Sequence, residues 1–242
     1  MISIRNLQLS YDGKSKVLED LNLELNHSGM IGIIGPNGAG KSSLLTAIMG
    51  LAKVQGQVEI GKNPRTKLPY QLAYVEQKSK IDYDFPIKVK ECVSLGLFAK
   101  KGLFNWLNND DWQLISQALK QVGLEEFADY PIRHLSGGQF QRMLLARCLV
   151  QEADILLLDE PFVGIDAVSE ALIISLLRNE VEKGKMVLIV HHDLAKVRDY
   201  FDQLLILNHQ LVAFGQTLEV FVSDYLKEAY GQELFLGSEE VS

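Results

Sequence analysis

The sequence has only two cysteines among 242 residues. Cys92 and Cys148 lie far apart, each within an apolar pattern of helical period. Disulfide frameworks and metal sites built on cysteine need several cysteines at short spacings, so both are disfavoured. The sequence therefore predicts reduced thiols packed in a core, as is usual in the cytoplasm.

The sequence also lacks the signals of a membrane-inserted chain. It has no stretch of about 18 apolar residues, and its N-terminus has no positively charged start followed by an apolar run. We therefore expect a chain that neither enters nor spans a membrane, although a partner could still hold it at one.

A basic surplus is absent as well, since 31 acidic residues face 24 basic ones and the net charge is −7. Nucleic-acid-binding surfaces are basic, so nucleic acid is not expected as a partner. Residues 100–106 mix lysines with aromatic residues, which is compatible with a nucleic-acid stacking patch or a membrane-facing tip. The acidic character of the whole chain favours a surface loop with two anchoring aromatic residues instead.

The apolar residues that are present, 47% of the chain, suffice for a sizeable core. Alternating apolar residues near the N-terminus predict half-buried antiparallel strands, whereas fully apolar runs such as 30–34 and 155–158 predict covered parallel strands. Helical patterns dominate from about residue 85 to residue 130. The sequence thus predicts an α/β fold: a mostly parallel core sheet, an N-terminal antiparallel β subdomain and an inserted helical subdomain. We expect one domain, with residues 1–84 and 153–222 as the core, about 85–152 as the helical insertion and 223–242 as a short tail.

A glycine-rich loop joins the apolar strand at 30–34 to the next helical pattern. Its residues match G-x-x-x-x-G-K-[ST] and its continuation, and they are Gly35, Pro36, Asn37, Gly38, Ala39, Gly40, Lys41, Ser42 and Ser43. Such a loop points backbone N–H groups at a phosphate, while the lysine reaches the β- and γ-phosphates and the first hydroxyl binds Mg²⁺. The alternative is a turn that only connects a strand to a helix. The lysine, the hydroxyl and the strand–loop–helix context favour nucleotide binding.

Two acids follow the apolar run at 155–158. Asp159 and Glu160 are expected at the carboxyl edge of a buried strand, where ligands bind in open α/β sheets. Phosphate chemistry needs one carboxylate for Mg²⁺ and one group that accepts a proton from water. We assign these roles to Asp159 and Glu160 respectively, over the alternative of a solvated strand end.

The stretch Leu135-Ser136-Gly137-Gly138-Gln139 opens a helix before that strand and resembles the signature of the ATP-binding cassette (ABC) ATPases. Other landmarks occur in the order of that family, over nearly the entire chain: Tyr11, the phosphate loop, Gln77, the signature, Asp159, Glu160, Asp166 and His192.

The resemblance implies roles for these residues. Tyr11 would stack on adenine rather than serve as a core aromatic, and Gln77 would contact Mg²⁺ and water rather than be a surface glutamine. Two copies would dock head to tail, so that Ser136, Gly137, Gly138 and Gln139 of one close over ATP held by the other. Asp166 would communicate across that dimer, although the residues before it depart from the commoner pattern.

The family's switch histidine directly precedes an aspartate, which selects His192 over His191. A metal site made by the two adjacent histidines is disfavoured, because neighbouring residues at a strand end point apart. The catalytic set is thus Lys41, Gln77, Glu160 and His192, and the Mg²⁺ set is Ser42, Gln77 and Asp159.

Residues 82–87, 91–93, 159–166 and 191–193 are similar to those of the ATPases of bacterial manganese and zinc uptake systems. That resemblance implies an energy-coupling importer subunit for a divalent metal ion, at the cytoplasmic face of the membrane. Its partners would be a second copy, permease subunits and, indirectly, an extracellular metal-binding lipoprotein. The alternatives are an importer of iron-siderophore or haem, a soluble ABC ATPase without a transport role, and a P-loop kinase or GTPase.

Overall fold

The computed structural model describes residues 1–63, 67–77, 83–101 and 106–231. The contacts between Cα atoms divide the chain into two compact units. The first unit comprises the described residues of Met1–Tyr70 together with those from Leu188 onwards, and the second unit is Gln71–Val187.

The first unit begins with a three-stranded antiparallel sheet of order β2-β1-β4. Its strands are β1 (Ile2–Ser10), β2 (Lys16–Leu25) and β4 (Val54–Ile60). β1 alternates buried and more exposed side chains, as the sequence pattern predicts. These strands confirm the predicted N-terminal antiparallel sheet.

The first unit also holds the strand and helix that flank the glycine-rich loop. β3 (Gly29–Ile34) is buried at all six positions, and α1 (Lys41–Ile48) packs Leu44, Leu45 and Ile48 inward. β8 (Gln203–Asn208) pairs with β3 in parallel and with β9 (Gln210–Gln216) in antiparallel. The buried faces of β3 and β8 explain why the chain there is apolar at nearly every position.

Three short helices complete the first unit. They are α7 (Val197–Tyr200), α8 (Thr217–Val220) and α9 (Ser223–Tyr230). α9 packs against β8 and β9 and buries Leu226 and Ala229. The end of the described chain is therefore tied to the strand that neighbours β3.

The second unit contains a parallel strand pair and most of the helices. β5 (Leu72–Val75) pairs in parallel with β6 (Ile155–Asp159). The strand β7 (Met186–Val190) begins in the second unit and ends in the first. The helices are α2 (Val89–Ser94), α3 (Phe98–Lys101), α4 (Asn109–Gln121), α5 (Gly137–Leu149) and α6 (Ala167–Glu182). β6 is buried at every position, so the two acids that follow its apolar run stand at the end of a covered strand.

The predicted fold class is confirmed: a mostly parallel α/β arrangement, an antiparallel sheet and a helical stretch between β5 and β6. The division at 84/85 and 152/153 stays a prediction. Most of the lysine–aromatic segment, residues 102–105, lies outside the described residues, as does most of the predicted tail from residue 232.

Both cysteines are free and buried, as predicted. Burial in apolar surroundings raises the pKa of the Cys148 thiol to about 12, so that thiol stays protonated at neutral pH. Within the described ranges, none of the helices is long and apolar enough to cross a membrane.

Candidate functional site

The phosphate loop of the first unit curls around the side chain of Lys41. Gly38 and Gly40 have φ angles of 83° and 93°, in the left-handed region that glycine adopts without strain. A Cβ on Gly40 would also lie 2.6 Å from a Leu18 side-chain carbon, so the position admits only glycine without rearrangement. The Lys41 ammonium donates hydrogen bonds of 2.8 Å to the carbonyls of Gly35 and Pro36.

Lys41 as a whole residue is 6% exposed, and it is the first residue of α1. Helix N-termini attract anions because their N–H groups lack partners within the helix. The loop therefore combines a buried lysine with the N-terminus of a helix, which suits a polyphosphate.

Tyr11 lies beside the start of the same helix. Its hydroxyl donates to Ser43 Oγ at 3.2 Å, while 68% of the residue is exposed. The next residue, Asp12, accepts hydrogen bonds from the N–H groups of Lys14 and Ser15, which lower its pKa to about 2. A well-bonded turn thus presents an accessible aromatic ring next to the phosphate loop.

The two adjacent histidines follow β7 and differ in environment. His191 is 4% exposed, and its backbone N–H donates to the Ile33 carbonyl at 3.0 Å. The ring of His191 contacts the rings of Tyr200 and Phe201. His192 is exposed. Across the part of the chain that the structure describes, no three His, Cys, Asp or Glu residues form a group able to hold a metal ion. His191 therefore serves the core, and His192 is the histidine that a ligand can reach.

In the second unit, the ends of β5 and β6 bring Gln77 to Glu160. Val75 pairs with Leu158, so the residues two positions further on come together. The Gln77 amide nitrogen donates to Glu160 Oε2 at 2.7 Å. Asp159, the residue before Glu160, is completely buried, and its carboxylate accepts a 3.3 Å hydrogen bond from the Tyr74 hydroxyl.

The signature residues form the N-terminus of α5. Ser136 caps the helix, because its Oγ accepts from the Gln139 N–H at 3.2 Å and its own N–H donates to Gln139 Oε1 at 2.8 Å. This reciprocal cap holds the first turn in place. In this turn Gly137 is half-buried and Gly138 is buried.

Asp166 caps the neighbouring helix α6 and lies against the signature turn. Its carboxylate accepts from the Ser169 N–H at 2.9 Å and from the Ser169 hydroxyl at 2.8 Å, and these bonds hold the pKa of Asp166 below its usual value. A Cβ on Gly138 would lie 2.4 Å from Ser169 Oγ and 2.8 Å from Asp166 Oδ2. Asp166 and the signature therefore form one packed corner of the second unit.

This packing makes Gly138→Ala a test of the corner. The added methyl group must displace Ser169 or Asp166, and we expect it to lower the free energy of unfolding by about 1–3 kcal/mol. Urea unfolding measures this cost. Ser169→Ala in the same chain removes the nearest atom, so the double variant should be more stable than the sum of the two single costs predicts. Simple additivity of the two costs would contradict the packing described here.

The predicted residues thus fall into two groups. The first unit brings together Tyr11 with the phosphate loop and also holds His192, while the second unit pairs Gln77 with Glu160 and packs Asp166 against Gly138.

Sequence reasoning missed two supporting residues, Tyr74 and Ser169. Tyr74 is a strand tyrosine of the kind usually taken for a core residue. Ser169 stands three positions after a helix cap, a spacing that does signal a capping contact.

Comparison with known proteins places this geometry in a family. The family described as ABC transporter matches residues 18–163, more than half of the chain. A manganese transport system ATP-binding protein of Halalkalibacterium halodurans is 41% identical over 95% of this chain and 92% of its own length. A zinc transport system ATP-binding protein of Treponema pallidum is 41% identical, over 95% and 86% respectively.

Known structures resemble the fold over nearly the same span. A transporter described as of the metal-chelate ABC type, in an inward-facing conformation, superimposes with a TM-score of 0.82 at 27% identity, covering 94% of this chain and 88% of that one. A dimeric ATP-binding cassette in a post-hydrolysis state with ADP and phosphate gives a TM-score of 0.75 at 26% identity, with coverages of 89% and 98%. On the family match and the identity to these relatives, the chain belongs to the ABC transporter family.

Proposed function

We propose that this chain is the ATP-hydrolysing, energy-coupling subunit of a bacterial importer for a divalent transition-metal ion, with manganese favoured over zinc. The observation that carries the hydrolytic part is the 2.7 Å contact between Gln77 and Glu160 beside the buried carboxylate of Asp159. The choice of cargo rests on relatives named as manganese and zinc transport ATP-binding proteins.

Membership of the family means that the chain binds nucleotide and hydrolyses ATP. In our proposal the phosphates occupy the loop from Gly35 to Ser43, and the Lys41 ammonium exchanges its two carbonyl partners for β- and γ-phosphate oxygens. The exposed ring of Tyr11 stacks on the adenine.

Glu160 acts as the general base in the proposed mechanism. Its carboxylate accepts a proton from the attacking water as the water oxygen bonds to the γ-phosphorus and the bond from that phosphorus to the bridging oxygen breaks, which gives ADP and phosphate. The Gln77 amide holds the Glu160 carboxylate in one orientation. His192, exposed after β7, is the candidate for a second contact to the γ-phosphate.

The chemistry of the donor set fits Mg²⁺. A buried carboxylate, Asp159, the hydroxyl of Ser42 and the amide oxygen of Gln77 are hard oxygen donors of the kind this ion prefers. When bound, Mg²⁺ would neutralise charge on the phosphates.

In our proposal, the phosphate that binds at the signature residues belongs to ATP held by a second copy of the chain. The capped N-terminus of α5 is a second helix end of the kind that binds anions, in addition to that of α1. We propose that Ser136, Gly137, Gly138 and Gln139 close over ATP held by a second copy, with Asp166 linking the two sites. A related cassette is dimeric with ADP and phosphate, which supports this arrangement.

The proposed assembly also includes permease subunits and, indirectly, an extracellular metal-binding lipoprotein that delivers the ion. The chain would then sit at the cytoplasmic face of the membrane through the permease. Affinity purification of the tagged chain from detergent-solubilised membranes tests this. Recovery of a polytopic membrane protein would support a transporter, whereas recovery of the chain alone from the soluble fraction would favour a non-transport ABC ATPase.

The metal cargo can be tested in cells. Deletion of the gene should slow growth in manganese-depleted medium and abolish most uptake of labelled manganese, because without ATP hydrolysis the permease has no energy source. Growth curves and uptake assays with added manganese, zinc or ferric siderophore measure the effect. Rescue by zinc alone would reassign the cargo, and rescue by the iron compound would favour the siderophore alternative.

A further inference from the structure

The first residue after the signature, Phe140, stacks on the ring of Tyr83. The centroids of the two rings are 3.9 Å apart, and their planes differ by 24°. Phe140 is completely buried within α5, and Tyr83 is half-buried. Burial raises the pKa of the Tyr83 phenol to about 12, so the ring is uncharged at neutral pH. The stack is therefore an apolar contact between α5 and the segment of chain that precedes α2.

Phe140 is also part of the first turn of α5. Its backbone N–H donates to the Ser136 carbonyl at 2.9 Å, the hydrogen bond with which the helix begins. The ring that Tyr83 covers and the N–H that closes the signature turn thus belong to the same residue. Fixing the Phe140 ring in one position therefore restricts the orientation of the signature turn.

The signature turn has contacts at two places within the second unit. Gly138 packs against Ser169 and Asp166 at the beginning of α6, and Phe140 packs against Tyr83. Tyr83 is the sixth residue after Gln77, whose amide donates to Glu160. The chain therefore contacts the proposed base at residue 77 and the signature helix at residue 83.

We propose that Tyr83 is a positioning residue for the signature turn, and that its ring favours the orientation in which this turn binds ATP held by a second copy. A turn that is in place before the second copy arrives loses less conformational freedom on association, so the dimer is tighter. The phosphate loop belongs to the first unit and Tyr83 to the second, so we expect ATP binding by a single copy to be independent of Tyr83. The inference rests on the proposed function, because it takes the shared ATP site as given.

The test is Tyr83→Leu, which removes the aromatic ring and keeps an apolar side chain. It is combined with Glu160→Gln, so that the dimer formed in ATP is not reopened by hydrolysis. We expect the dissociation constant of this dimer to rise about threefold or more, because an aromatic pair changes an equilibrium constant by about two- to tenfold. Analytical ultracentrifugation in ATP measures this constant. Tyr83→Phe keeps the ring and should restore the original value.

Tyr130→Leu is the matched control in the same background. It makes the same chemical change in the second unit, at a residue that is 50% exposed and whose ring contacts Phe127 at a centroid distance of 5.5 Å. It should leave the dissociation constant of the dimer unchanged. Binding of a fluorescent ATP analogue, at protein concentrations at which the chain is monomeric, should give the same Kd for Tyr83→Leu and its parent.

A tyrosine that only stabilised the fold would lower the unfolding temperature without changing dimerisation. With Glu160 intact, Tyr83→Leu should instead need a higher protein concentration to reach half-maximal ATP turnover, and it should approach wild-type turnover at saturating concentration. An unchanged dissociation constant of the dimer, or an equal rise for Tyr83→Phe, would overturn the proposal.

Should Tyr83→Leu fail to fold, Tyr83→Met carries the test, because a flexible apolar side chain fills the space of the ring more readily. The same rise is expected, and an unchanged dissociation constant would again contradict the proposal. Absence of any dimer in ATP for Glu160→Gln alone would be a distinct result, since it would overturn the shared site of the proposed function and this inference with it.

Discussion

Glu160→Gln is expected to lower ATP turnover by at least about 100-fold and to leave ATP binding intact. A general base contributes about 100- to 10,000-fold to such a step, and glutamine cannot accept the proton from water. The substitution is close to isosteric. The Gln77 amide nitrogen donates to Glu160 Oε2 at 2.7 Å, and it can still donate to the side-chain oxygen of the glutamine. Phosphate release and equilibrium ATP binding measure the two properties independently.

The same variant also tests the shared site. We propose that two copies close around ATP and that only hydrolysis reopens them. Glu160→Gln, which hydrolyses ATP poorly, should therefore accumulate as a dimer when ATP is present. Size-exclusion chromatography detects this dimer. Glu182→Gln is the matched control, because it makes the same chemical change at an exposed position of α6. Turnover above a tenth of the wild-type rate would remove Glu160 from the role of base.

The strands and the phosphate loop follow from the sequence because their signals are local. Fully apolar runs predict β3 and β6, and the glycine spacing with Lys41 predicts a loop that opens a helix. Each of these features depends on residues within about ten positions of one another. The structure confirms the strands, and the left-handed φ angles of Gly38 and Gly40 explain why glycine stands there.

The pairing of Gln77 with Glu160 needs more than local signals. The two residues are 83 positions apart, and only the register of Val75 with Leu158 puts them side by side. Sequence reasoning could place each at a strand end, but it could not show that their side chains meet.

The bond between Asn208 and Ala229 is the clearest case of a contact that no sequence pattern predicts. The amphipathic pattern of α9 shows that the helix has a buried face, but not that the carbonyl of Ala229 accepts a hydrogen bond from the side chain of Asn208. That contact depends on how α9 packs on β8, which is set by tertiary structure. Long-range contacts of this kind are where a structure adds most to a motif.

Lys41→Met is expected to weaken ATP binding by about 100-fold and to abolish turnover. The ammonium makes charge-assisted hydrogen bonds to the phosphates, each contributing about 1.5–3 kcal/mol, and methionine keeps the apolar stem without the charge. The variant also leaves the carbonyls of Gly35 and Pro36 without this donor. We therefore expect a lower unfolding temperature in the absence of nucleotide as well.

Thermal unfolding with and without ATP separates the two effects of Lys41→Met. ATP at 100 times its Kd should stabilise the wild-type chain by about 2.7 kcal/mol, whereas the variant at the same concentration should gain only about 0.4 kcal/mol if its Kd is 100-fold higher. Lys53→Met, a change of the same kind at an exposed residue of the first unit, should retain the full ATP-dependent stabilisation. Equal stabilisation of wild type and Lys41→Met would show that ATP does not depend on the ammonium of this loop, and the nucleotide would then have to be sought elsewhere in the chain.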